Sequence, residues 1–193
     1  MCGIIGHHAG NIDYQNFVSS LELISHRGPD DSGTHYVKPD YLFGHKRLSI
    51  QDLSHMGKQP MSNDAGTVTI VFNGEIYNFH ELRNRLISRG YVFKSKTDTE
   101  VLLFLYEDEG VKMIDKLRGD FAIAIYDKSN DQTILIRDRY GIKPLYYYNK
   151  SEVFAFCSEI RPILRLENIE RDHNHSQYYS FLNLGSVPSP FTL

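Results

Sequence analysis

The 193 residues suit one domain with or without a short extension, and a hydrophobic content of 41% furnishes a core with no need of disulfides or metal as staples. Twenty-one Lys and Arg stand against 24 Asp and Glu; the formal charge of −3 gives no electrostatic basis for nucleic acid and directs attention to small molecules or protein surfaces. Two cysteines, an N-terminus with no basic stretch before an apolar core, and no apolar run of bilayer length predict a soluble, cytoplasmic protein without membrane contact.

Cys2-Gly3-Ile4-Ile5-Gly6 reads as a short strand buried in a sheet from the start of the chain. Phe17, Leu21 and Ile24 recur at helical spacing and predict an amphipathic helix over 15–25, followed by the polar loop 26–33. Val68, Ile70 and Phe72 alternate as in a strand, which is expected to run into a turn at Asn73-Gly74-Glu75. A helix with Phe79, Leu82 and Leu86 on its buried face follows, with Asn78 as cap and Gly90 as stop.

Thr97-Asp98-Thr99-Glu100 has the form of a capping box ahead of a helix closed by Gly110, and Ile114 with Leu117 suggests a further short helix. Four strands are expected at 121–127, 133–137, 145–148 and 153–157, joined as hairpins. The stretch 176–184 reads as a helix leading into a linker, Gly185-Ser186-Val187-Pro188-Ser189-Pro190, which predicts that more chain follows. Strands at both ends and helices between them imply an α+β layered domain, mainly antiparallel, with two sheets between helical layers.

Removal of Met1 would leave Cys2 with a thiol and a free α-amine on one residue. An α-amine has an ordinary pKa near ~7.7–8.0 and can act as a general base at neutral pH, and the thiol needs only modest activation to be a nucleophile. Acyl transfer also needs donors aimed at a developing oxyanion: Asn73 offers a side-chain amide and Gly74 an unobstructed backbone N–H, although the dipeptide also suits an ordinary tight turn. The planar fork of Arg47 suits a carboxylate, and Asp98 either binds an ammonium or only complements a helix dipole. Cys157, at the end of an apolar strand, reads as a small buried residue. The nine histidines show no zinc-type spacing and no phosphate-binding loop occurs, so neither a metal nor a nucleotide is expected in this segment.

Five stretches, Met1-Cys2-Gly3-Ile4, His26-Arg27-Gly28-Pro29-Asp30, Arg47-Leu48-Ser49-Ile50, Asn73-Gly74-Glu75-Ile76-Tyr77-Asn78 and the run from Arg137 to Leu145, together resemble the glutaminase domain of glutamine-dependent asparagine synthetases, a class II glutamine amidotransferase. The resemblance covers nearly the whole chain. It implies the N-terminal-nucleophile hydrolase fold, a four-layer αββα sandwich, with the glutaminase domain over 2–172 and a helix and start of a linker over 173–193. It implies that Cys2 is the nucleophile and carries the base, that Asn73 and Gly74 form the oxyanion hole, that Arg47 holds the glutamine α-carboxylate, and that Asp98 and Glu75 engage its α-ammonium. The backbone of Leu48, Ser49, Ile50 and Gln51 is expected to line the pocket; valine is frequent in that family where this chain has Gln51. Arg27 is expected to organise the loop beside the nucleophile.

The resemblance also implies glutamine as substrate and a synthetase domain in cis as recipient of the ammonia, with ATP and Mg needed only in that absent domain and a homodimer left open. Other class II amidotransferases share the N-terminal cysteine and the Asn-Gly pair, but in different surroundings. Amination of a sugar, peptide or antibiotic precursor, or a non-catalytic glutamine-binding module, are the alternative readings.

Overall fold

The computed structural model describes residues 1–171, 174–188 and 191. In chain order the strands are β1 (Gly3–His8), β2 (Asp31–Lys38), β3 (Tyr41–Arg47), β4 (Met61–Ser62), β5 (Val68–Ile76), β6 (Gly119–Asp127), β7 (Gln132–Arg137), β8 (Tyr146–Lys150) and β9 (Val153–Cys157). The α-helices are α1 (Tyr14–Glu22), α2 (Phe79–Ser88), α3 (Asp98–Glu109), α4 (Ile160–Arg165) and α5 (Tyr178–Leu184). One sheet has the order β2-β3-β1-β9-β8 and the other β4-β5-β6-β7, with every pairing antiparallel.

Period-two alternation explains how β1 serves two layers at once. Ile5 points to a core formed with Phe17 and Leu21 of α1 and Ile163 of α4, whereas Ile4 points the other way, to Phe43, Val71, Ala122, Ala124 and Phe156 between the sheets. Strand β5 repeats the device: Ile70 and Phe72 pack with Leu86 of α2 and with Leu102 and Leu105 of α3, while Val71 faces the other sheet. The result is helix, sheet, sheet, helix, as expected.

The expected helix over 15–25 is α1 plus a separate 3-10 turn at Ser25–Arg27, and the short helix near Ile114 is the 3-10 segment Gly110–Lys116. Gly90 and Gly110 take positive φ at the ends of α2 and α3. Thr97 caps α3, accepting from Glu100 N–H at 3.3 Å; the Glu100 carboxylate completes no box and instead accepts from Lys94 N–H and Ser95 N–H. Asn78 occupies the cap position of α2 without capping it; its amide accepts from Arg118 N–H and donates to the Lys116 carbonyl.

Asn73-Gly74-Glu75 is not a turn. All three residues lie within β5, with Asn73 opposite Ala122 and Gly74 opposite Phe121, because pairing along β6 overrides the local turn preference. Gly74 is there for space: a Cβ would sit 2.3 Å from the Asp120 carbonyl oxygen and 2.7 Å from the Phe121 Cα. The expected domain boundary at 172–173 and Ser189-Pro190 of the expected linker lie outside the described residues. Gly185 ends α5 in the left-handed conformation.

Candidate active site

Four chain segments meet at one end of the sandwich. Cys2 immediately precedes β1; the register of β1 on β3 sets Gly3 opposite Lys46, which brings Cys2 beside Arg47 and Leu48 as the chain leaves β3. Asn73 follows Val71 by two residues on β5 and so shares its face, toward the other sheet. The first turn of α3 supplies Thr97, Asp98 and Thr99. Between them lies a cavity of about 170 Å³ lined by, among others, Cys2, Arg47, Gln51, Asn73, Gly74 and Asp98.

The Cys2 Sγ accepts a hydrogen bond from Leu48 N–H at 3.4 Å. Burial pushes the thiol above its ordinary value, opposed by that hydrogen bond, the terminal ammonium and Arg47, and reinforced by the Asp98 charge. A thiol in this setting is not ionised in advance and requires a base at the moment of attack. Met1 still precedes it, more than half exposed, with Lys143 Nζ 3.8 Å from its Sδ.

Arg27 braces Cys2 from behind, its Nε donating to the Cys2 carbonyl at 3.0 Å and its Nη1 to Glu159 at 3.1 Å. Gly28 passes so close to β3 that a Cβ would lie 2.4 Å from the Lys46 carbonyl. Asp30 then accepts from Ser49 N–H at 2.7 Å, and its own N–H donates to the Arg47 carbonyl at 3.0 Å. The loop 26–31 thus clamps both Cys2 and the 47–49 backbone.

Asn73 is 1% exposed, and its Nδ2 is a buried donor with no hydrogen-bond partner among the described residues. Buried amides are nearly always paired, so an unpaired one in a cavity wall calls for a ligand atom. Arg47, also buried, donates through Nη1 to the Ser54 carbonyl at 2.9 Å and through Nη2 to the Asp52 carbonyl, so it holds the 48–54 loop while lining the cavity. Asp98 accepts from Ile76 N–H at 3.0 Å. Gln51 lines the cavity, and its side chain joins two other wall residues: Nε2 donates to Glu75 Oε1, and Oε1 accepts from Asp98 N–H at 3.3 Å.

Leu48 and Ile50 also line the cavity; Ser49 is outside its wall, tied to Asp30. Other wall residues are not singled out in the sequence. Gln59 accepts from Phe72 N–H at 2.6 Å and donates to Thr99 Oγ1 at 3.1 Å, pinning β5 to α3, whereas Asp52 accepts from Lys96 N–H at 2.9 Å. Lys143 lies in the quoted run from Arg137 to Leu145, but nothing in the run announces that it reaches Cys2's end of the sandwich.

Burial lifts Asp98 from 3.8 to about 7, the Glu75 charge adding to the rise and the Ile76 hydrogen bond opposing it. The folded chain therefore keeps a proton that the unfolded chain releases across this window. The stability it lends is complete below pH ~4 and is lost as pH climbs through 7. Asp98→Asn keeps an acceptor for Ile76 and removes the ionisation. Thermal melts are expected to show parent and variant close together near pH ~4 and the parent falling behind toward pH ~8; parallel profiles would refute the buried-acid assignment.

The profile of the glutamine amidotransferase domain matches residues 1–193. Glutamine-hydrolyzing asparagine synthetase 1 of Bacillus subtilis (strain 168) is 40% identical over 201 residues, spanning 100% of this chain and 31% of the relative. Glutamine-hydrolyzing asparagine synthetase 2 of the same organism is 36% identical over 186 residues, spanning 93% of this chain and 24% of the relative. The chain thus covers less than a third of the length of either. Among solved structures, the glutamine phosphoribosylpyrophosphate amidotransferase from B. subtilis, complexed with ADP and GMP, superposes with a TM-score of 0.69 at 21% identity, over 81% of this chain and 42% of that one. The likeness identifies the αββα sandwich as the N-terminal-nucleophile hydrolase fold. Among the described residues no helix is long and apolar enough to cross a membrane.

Proposed function

From the premise that this chain belongs to the glutamine amidotransferase domain family, we propose that it hydrolyses the side-chain amide of L-glutamine through a thioester on Cys2. The observation that carries this reading is the unpaired, buried Nδ2 of Asn73 in the wall of the cavity that also holds the Cys2 thiol.

Removal of Met1 frees the Cys2 α-amine. The amine takes the thiol proton as Sγ bonds to the amide carbon, and the carbonyl oxygen, now an oxyanion, accepts from Asn73 Nδ2 and Gly74 N–H. The C–N bond breaks as the amine returns that proton to nitrogen, and ammonia leaves. Water then attacks the γ-glutamyl thioester, giving a proton to the amine, and the C–S bond breaks to release glutamate and restore the thiol. The amine suits this relay because its pKa lies near neutrality, whereas the buried thiol does not ionise unaided.

Arg47 offers the substrate α-carboxylate a guanidinium, Glu75 offers its α-ammonium a carboxylate, and Asp98, raised to about 7 in the free protein, gives a second one as the cation draws its proton off, so both ends of a free amino acid meet an opposite charge. Ammonia made here passes to an ATP-dependent synthetase domain elsewhere in a longer chain, with asparagine as product; the names of the two curated relatives support that acceptor.

The test is direct. A preparation with Cys2 at its N-terminus is expected to release glutamate and ammonia in equal amounts from L-glutamine without ATP, and one retaining Met1 to release neither. Absence of glutamate from the Met1-free chain, or equal activity in both, would refute the mechanism.

A further inference from the structure

We infer that the Gln51 side chain is an internal occupant of the ammonium-binding end of the cavity, which incoming glutamine must displace. The inference rests on the proposed reading of that end as the amino-acid subsite. The Gln51 carboxamide spans Glu75 and Asp98, donating through Nε2 to the Glu75 carboxylate and accepting through Oε1 from Asp98 N–H. Its orientation is fixed by its partners: a carboxylate only accepts and a backbone N–H only donates, so the reversed amide would lose both bonds.

An amide NH2 is a neutral stand-in for a substrate ammonium. It meets the same carboxylate from within the protein. Glu75 cannot serve both groups fully at once, so each glutamine bound breaks at least one hydrogen bond of the free protein.

The neighbouring side chains leave Gln51 room to withdraw. Ile50 is 71% and Leu53 81% exposed, so the apolar residues on either side do not anchor this stretch to the core. Its attachment is polar: Arg47 holds the Asp52 and Ser54 carbonyls, and Asp52 holds Lys96 N–H. Those ties lie beyond Gln51 and survive when its side chain leaves. Glu75 and Asp98, by contrast, are held by β5 and by the first turn of α3, and stay in place to receive the ligand.

Gln51 thus sets the affinity for the amino acid by competing for its subsite. Gln51→Val keeps the backbone that lines the pocket and removes the competitor. One hydrogen bond of ordinary net strength no longer broken on binding corresponds to a dissociation constant lower by roughly threefold to tenfold.

The experiment is calorimetric titration of L-glutamine into the 193-residue chain carrying Cys2→Ala, with Gln51, Gln51→Val or Gln51→Ala, and thermal melts to compare folding. Threefold to tenfold tighter binding by either substituted protein is the expected result. Binding by all three with an unchanged or weaker constant in the substituted proteins would overturn the inference and leave the glutaminase reading standing. Failure of every form to bind L-glutamine would overturn both.

Discussion

Cys2→Ala is expected to lower glutamine turnover by at least about 10⁴-fold while leaving the melting temperature and the affinity for glutamine close to those of the parent. The reasoning is geometric. Sγ sits at the mouth of β1 with a single donor, Leu48 N–H, and no other thiol can replace it. Cys157, the second cysteine, is fully buried in β9, and burial pushes it up to about 12, so it neither reaches the cavity nor ionises at neutral pH. Loss of the Cys2 side chain removes no packing from the buried clusters, none of which includes it. Retention of more than a few per cent of the parent rate would show that ammonia release proceeds by direct attack of water.

Asn73→Ala carries the second large effect. Removing one donor of an oxyanion hole costs about 10²- to 10³-fold in kcat, and because the bond strengthens as the oxygen becomes charged, KM should move by no more than about threefold. The same substitution separates catalysis from folding. Nδ2 makes no hydrogen bond among the described residues, so truncation forfeits none of these through that atom, and the loss is expected to fall on turnover. Steady-state kinetics of the variant read both constants. A large rise in KM with kcat preserved would make Asn73 a binding residue and move the oxyanion hole elsewhere.

Much of the architecture is written in periodicity. β6, β7, β8 and β9 fall where alternation and short turns place them; β6 with β7 and β8 with β9 form the expected hairpins, whereas β7 and β8 lie in different sheets and do not pair. β2 and β3 are absent from that reading, and β3 shows why. Its end, Gly44-His45-Lys46-Arg47, is polar by composition yet entirely buried. Each group is satisfied by a partner outside the strand: His45 by the Phe72 carbonyl, Lys46 by Glu22, Arg47 by carbonyls of the following loop. Only the fold supplies those partners, so no local pattern announces the strand.

Asn73-Gly74 illustrates the opposite case. The oxyanion role proposed for it can be read from the residue types, but its conformation cannot, since a dipeptide that favours turns is held extended by nine consecutive pairings along β6. The same holds for Gln51. A position expected to contribute only backbone places a carboxamide between Glu75 and Asp98, 24 and 47 residues away in the chain. The roles proposed for Arg47 and Asp98, at the two ends of an amino acid, rest on charge that the sequence displays. That Arg47 also holds the 48–54 loop could be seen only once that loop had folded back upon it.

The central claim is that Cys2, with its own amine freed, is the nucleophile for glutamine. Intact-mass analysis and peptide mapping after exposure to an electrophilic glutamine analogue test it most directly. One adduct per chain, located on Cys2, suppressed by free glutamine and absent from Cys2→Ala, is the predicted result; an adduct elsewhere, or labelling of Cys2 that free glutamine does not slow, would contradict it.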